Sequence, residues 1–461
     1  MKKSFLAVPL SVSLLLPTAA YAADMNHSGN HQQMTTKENT KMMKPTVSSP
    51  AADLRATLDE LLSEHSYLAV VAMQKGIDGA PDFEQAAGAL NENTNSLSKA
   101  IASVYGEAAG NQFKEIWGSH IGYFVDYVKA TGAKDEAAKQ MAIKNLDQYR
   151  VKQADFLDKA TEGRLKAAEL REGLNMHVHE LLSAFDNYVK GDYTTTYKSV
   201  RESINHMYGV GKSFSWAITD QFPQKFNNTK VDTAAVDLRE NLNSLLSEHA
   251  ALAVLAMQKG IDGAKDFEAA AGALNQNTDD LSKAIASVYG QAAGDQFKTI
   301  WSSHIGYFVD YVKATGTKDE AAKQMAMKQL DQYRVEQAKF LDDATGGRLK
   351  AADLESGLKV HVDELLKAFN TYTEKDYATT YPTIHEAYEH MFMVGEGLSG
   401  AIVDQFPQKF QSQMPTQMPK TGMGGTAESG MSNSMIAWGA VAFVLAGAFA
   451  TIIVRRNRQQ G

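Results

Sequence analysis

Four histidines, His65, His120, His177 and His206, stand in helical apolar patterns, and each recurs 184 residues later as His249, His304, His361 and His390. Three fall on the apolar stripe itself. His65 lies among Leu61, Leu62, Leu68 and Ala69, His120 among Trp117, Ile121 and Phe124, and His177 among Leu174, Val178 and Leu181. His206 sits at the flank of its stripe beside Met207, whose twin is Met391. An imidazole placed in an apolar interior needs hydrogen-bond partners or a metal ion. Carboxylates accompany the rings: Glu64 precedes His65, Glu180 follows His177 by three residues and Glu202 precedes His206 by four, with twins Glu248, Glu364 and Glu386. A carboxylate one helical turn from a histidine can ligate the same ion or hold the imidazole in one tautomer. Imidazole suits zinc, copper, nickel and iron, and a neighbouring thioether such as Met207 tilts the choice toward copper.

The elements that must position these rings are helices. Apolar residues recur every three or four positions over 51–75, 82–104, 108–130, 133–160, 164–189 and 193–219, separated by glycine-containing turns, and no period-two strand is seen. The unit from Leu54 to Phe226 repeats without insertion from Leu238 to Phe410. That period is too long for a solenoid and matches a duplicated domain. The expected fold is all-α: two tandem antiparallel helical bundles of about six helices each, over 51–226 and 236–410. Each paired histidine falls near the middle of its segment. Midpoints of antiparallel helices share one level, so the four rings are expected to meet in one layer, to within roughly 3–6 Å for boundary errors of two to four residues. Asn93 and Asp147, at the middles of the two histidine-free helices, are candidates to join it. The ferritin-like Glu-x-x-His motif is not present in this pattern, where the spacings are His-x-x-Glu and Glu-x-x-x-His.

Composition narrows the function. The chain of 461 residues has no cysteine, which excludes disulfides, thiolate zinc sites and iron–sulfur clusters. A net charge of -8 without a clustered basic face argues against nucleic acid as a partner. Nucleophile elbows, phosphate-binding loops and HExxH are missing, so the chain is not read as an enzyme.

The ends read as export and tethering signals. Residues 1–22 form a signal peptide, with Lys2 and Lys3, an apolar run and Ala20-Tyr21-Ala22. Residues 23–50 read as a disordered tether carrying Met25, His27, His31, Met34, Met42 and Met43, which can hold copper weakly. A polar linker, 227–235, joins the copies. A stalk, 411–434, leads to an uncharged span of 435–454, long enough to cross a membrane, and a basic cytoplasmic tail of 455–461.

Within the stalk, Met418-Pro-Lys-Thr-Gly422 resembles the LPXTG cell-wall sorting signal of Gram-positive surface proteins, with methionine where leucine is usual. That resemblance implies cleavage by a sortase between Thr421 and Gly422 and linkage of Thr421 to peptidoglycan. The blocks Leu62-Ser-Glu-His65, Leu68-Ala-Val-Val-Ala-Met73, His206-Met207 and Asp220-Gln-Phe-Pro-Gln-Lys-Phe226 resemble tandem-domain Gram-positive surface proteins that carry a copper-related label, "copper amine oxidase". True oxidases of that name build a quinone from Asn-Tyr-Asp/Glu, which does not occur here; Asn187-Tyr188 is followed by Val189. The expected function is an exported, surface-tethered metal-binding protein, for copper or another transition metal such as zinc, that sequesters or buffers the ion through one histidine-lined site per bundle. Two other readings compete with it: an adhesion module whose histidines are structural, and a redox or haem-type function with paired axial ligands.

Overall fold

Residues 44–411 are described by the structure, a computed structural model. The signal peptide, the Met/His tail up to residue 43, the sorting-like pentapeptide with Thr421 and Gly422, and the span at 435–454 lie outside the described residues. Among the described residues all regular structure is helical, and no helix is long and apolar enough to cross a membrane.

Each repeat contributes six helices. The first copy comprises α1 (Pro50–Asp78), α2 (Phe83–Tyr105), α3 (Glu107–Ala133), α4 (Glu136–Ala160), α5 (Ala167–Lys190) and α6 (Tyr193–Gln221). The second comprises α7 (Ala234–Ile261), α8 (Phe267–Tyr289), α9 (Gln291–Thr317), α10 (Glu320–Ala344), α11 (Ala351–Thr373) and α12 (Tyr377–Gln405). Local chemistry sets the boundaries. Ser49 caps α1 by accepting from the Ala52 amide, Pro50 opens its first turn, and Gly79 closes it in the left-handed region at φ 61°. Asp135 and Asp192 cap α4 and α6 in the same way as Ser49 caps α1.

Consecutive helices pack in antiparallel sequence, and α6 returns against α1 to close the ring. α1 also touches α3 and α5, so it runs through the bundle interior; the continuous apolar run from Leu68 to Met73 is buried on every side. The α1–α6 approach depends on Gly211. A Cβ there would overlap the Asp59 carboxylate, and Gly395 meets Asn243 in the same way in the second copy. Gly209, one half-turn earlier, faces open space. Gly211→Ala is therefore expected to cost about 1–3 kcal/mol by overpacking. Gly209→Ala is expected to stabilise by about 0.5–1 kcal/mol. Urea-unfolding midpoints that move the same way for both variants would contradict this account of the contact.

The two copies pack on one another through a pseudo-two-fold junction, and the connection between them is not a free tether. Thr229 accepts from the Ala51 amide, Val231 is buried, and the Arg55 guanidinium donates to the Val231 carbonyl. The stretch before α1 is likewise anchored: Val47 is buried against Ala235 and Val403, and Lys44 pairs with Asp404 at 2.6 Å. The polar composition that reads as tether at 44–50 and 227–235 conceals these single buried valines.

Across the junction, contacts come in twins. Arg55 meets Asp237 and Arg239 meets Asp53, at 2.6 and 2.7 Å. Lys75, paired with Asp82 at 2.9 Å, donates to the Tyr372 hydroxyl of the other copy, while Tyr381 donates to Asp82. Lys259, Asp266, Tyr188 and Tyr197 repeat that arrangement. The symmetry breaks at several positions, among them Lys212, which pairs with Asp237 where its twin Glu396 pairs with Arg239. Arg201 binds Glu248, whereas its counterpart His385 donates to Glu64 at 2.7 Å. The Glu64 carboxylate, with Glu60 and Glu389 nearby, pushes the His385 imidazole up to about 9. Burial, then Glu389 and Glu64, push Glu60 up to about 8.

Both shifts carry the same sign. A raised histidine contributes stability that is complete below its unfolded value near 6.5 and is lost as pH rises through about 9. Glu60 holds its proton to about pH 8 and loses that contribution over a window that begins near 4.5. Unfolding free energy is thus expected to fall from pH 6 to pH 9.5. In His385→Gln the part lost between pH 7 and 9.5 shrinks; unfolding free energies from urea melts that fall equally steeply with pH in both proteins would refute the assignment.

Candidate metal centre

Helices α1, α3 and α5 run in the same direction and carry His65, His120 and His177 near their middles, so the three rings reach one level inside the bundle. One ring nitrogen from each lies within 4.8 Å of the other two, and His249, His304 and His361 form the same group on α7, α9 and α11. His65, His120, His249 and His304 are 0% exposed; His177 and His361 are 1% and 2% exposed. The Nε2 atoms of His65 and His120 stand 3.2 Å apart, as do those of His249 and His304. Bonds of about 2.0–2.1 Å from two imidazoles to one zinc- or copper-sized ion place their nitrogens roughly 3.3–3.5 Å apart.

The tautomers fit. His120 donates from Nδ1 to the Trp117 carbonyl one turn earlier, which leaves Nε2 as a lone pair facing His65; His304 and Trp301 repeat this. Both nitrogens of His177 and Nδ1 of His65 are buried with no hydrogen-bond partner, as are those of His361 and His249. A buried ring nitrogen without a partner is costly, so the unpartnered nitrogens of His65 and His177, beside the His120 lone pair, form a set that an ion would satisfy. Burial holds the triad neutral. It lowers His120 to about 4 and His304 and His361 to about 3, and with the neighbouring imidazoles it drives His65, His177 and His249 well below the ordinary range. At neutral pH each ring therefore presents a lone pair, the form that ligates.

The expected four-ring layer is a three-ring cluster with a fourth ring behind it. His206 on α6 turns its Nδ1 to Glu180 on α5 at 2.9 Å, and His390 meets Glu364 at the same distance. The carboxylate three residues after His177 captures the fourth ring before it can close on the triad. Met207 is buried and lines, with His177 and Trp117, a void of about 10 Å³ walled by Leu157, Leu170, Leu174, Val210 and Phe214. Met391 is buried in the equivalent cluster with Trp301. That space is about the size of one water molecule, and its lining is apolar.

The remaining carboxylates do not reach the rings. Glu64 accepts from Asn93 and His385, and Glu248 from Asn277 and Arg201, because residues adjacent in a helix point about 100° apart and His65 already faces inward. Glu202 is exposed beside Lys198, and Glu386 is exposed beside Lys367. Asn93 thus supports α1, through the Leu61 carbonyl and Glu64, rather than the layer; Asp147 pairs with Arg150 at the surface.

Other residues surround the triad that the sequence pattern did not single out. Tyr149 of α4 stacks on His120, with centroids 4.5 Å apart and planes 18° apart, and Tyr333 does so on His304. Trp117 lies tilted on His65 at 4.8 Å. Gln153, one turn beyond Tyr149, is fully buried with neither side-chain atom partnered, as is Gln337. A tyrosine and a glutamine four apart on an inward stripe, repeated in both copies, were the signal available. Comparison of the chain with protein-family models, with curated proteins and with solved structures returned no match.

Proposed function

We propose that this protein binds one transition-metal ion in the three-histidine cluster of each bundle, copper ahead of zinc, and that it buffers or sequesters the ion outside the membrane. The observation that carries the reading is the duplicated set of buried, neutral and partly unpartnered imidazoles converging on one point. No carboxylate joins the cluster, and the Met207 thioether lines a void beside His177, a combination that suits copper better than harder ions. The sorting-like motif and the span at 435–454 support a wall or membrane tether, with sortase and peptidoglycan as the partners that such a tail requires. The Met/His segment of 23–50 would then act as a weak outer collector.

The test is the metal content of the full chain after loading with Cu(I) and, separately, with Zn(II), followed by dialysis and elemental mass spectrometry. Two tightly held ions per chain are expected. Retention of neither metal would leave the histidines structural and favour an adhesion module.

A further inference from the structure

We infer that His206, oriented by Glu180, is the route by which the ion reaches the buried triad, and that His390 with Glu364 serves the second site; this rests on the metal-binding reading above. The triad has no face open to solvent, so an ion needs a path of donors to enter. Between α5 and α6 such donors line up in order of burial. The Glu180 side chain is 19% exposed, the His206 side chain 7%, and His177 1%. In the second copy Glu364 is 18% exposed, His390 9% and His361 2%.

His206 is not positioned as a member of the triad, yet the Glu180 that holds it stands one helical turn from His177, and the adjacent Met207 lines a void with His177. Its Nδ1 is committed to Glu180, while its Nε2 is buried with no partner. A purely structural histidine joining two helices would be expected to use both nitrogens. A ring held by one nitrogen with the other free can accept an ion at the edge and release it inward by rotating about χ1 and χ2. The carboxylate behind it supplies the negative charge that draws a cation to this edge and keeps the free lone pair on Nε2.

Glu180, His177 and His206 have twins in Glu364, His361 and His390, within the segment from Arg171 to Gly211 that differs from its twin more than the rest of the repeat does.

The experiment follows Cu(I) transfer from the coloured bicinchoninate complex to the full chain, anaerobically. Uptake by the His120→Ala/His304→Ala variant, which reports binding outside the triads, is subtracted. In His206→Ala/His390→Ala the rate of uptake is expected to fall on the order of ten-fold or more while the final occupancy stays at the native value. The Glu180→Gln/Glu364→Gln variant preserves side-chain volume and is expected to slow uptake with the same final occupancy; circular dichroism checks that both remain folded. Native rates in both variants would overturn the route. A loss of final occupancy as complete as in the His120→Ala/His304→Ala variant would also overturn it, by making His206 a resident ligand. If the native chain itself takes up no Cu(I) above that background, the copper reading fails, and the route fails with it.

Discussion

The His120→Ala/His304→Ala chain is expected to lose the thermal stabilisation that copper confers on the native protein. An ion that binds the folded state alone stabilises it by about 4 kcal/mol at a free concentration a thousand-fold above its dissociation constant. For bundles of this size that corresponds to a rise in Tm on the order of 10 °C. His120 is the ligand to remove because its tautomer is fixed by the Trp117 carbonyl and its Nε2 faces His65. Alanine there also unstacks Tyr149 and leaves a cavity, so the metal-free variant melts lower by itself. The informative quantity is the difference in Tm with and without metal, measured for each protein by scanning calorimetry. His120→Gln/His304→Gln, which fills more of the space, should lose the same difference. Binding by the tail of 23–50 would not reproduce the effect, because a segment that ligates equally in folded and unfolded chains shifts no equilibrium. A variant that keeps the native rise would show that the stabilising ion sits elsewhere.

The second large effect concerns the junction. Asp82→Ala is expected to destabilise the protein by roughly 3–5 kcal/mol, the usual cost of stranding one member of a buried ion pair. Lys75 and Asp82 are both buried, and Asp82 also accepts from Tyr381 across the junction. Lys75→Met/Asp82→Ala removes both charges and should recover most of the loss, since the desolvated ammonium is then gone. Urea unfolding of the two variants reads this directly. A loss below about 1 kcal/mol in Asp82→Ala would mean that the pair is wetter than its burial implies.

Much of this architecture is legible before any coordinates. The apolar period of 3.6 marks the twelve α-helices of the described residues, because each presents a stripe to an interior, and glycine, a left-handed residue or an aspartate cap bounds most of them. The convergence of His65, His120 and His177 follows from their mid-helix positions on three parallel helices. What the pattern hides is direction within a turn. Glu64 is adjacent to His65 in sequence and faces the other copy in space, and His206 shares a level with the triad but is held by Glu180. The junction was hidden for a different reason. Arg55, Asp59, Lys75 and Asp82 are charged yet buried, held by pairs within the copy, Arg55 with Asp59 and Lys75 with Asp82, and by contacts across the junction to Asp237, Tyr372 and Tyr381. The run Leu68 to Met73, apolar around its whole circumference, was the available sign that α1 is covered on all sides.

The exchange of Arg201 for His385 has a consequence for how such a molecule diverges. Were the halves separate identical chains, each junction residue would have to be self-complementary under the dyad, and any substitution would act twice. Fusion into one polypeptide lifts that restriction. One half can keep a permanent guanidinium against its glutamate while the other installs a titrating imidazole, so a single gene can set the alkaline response of one lobe without altering its sibling.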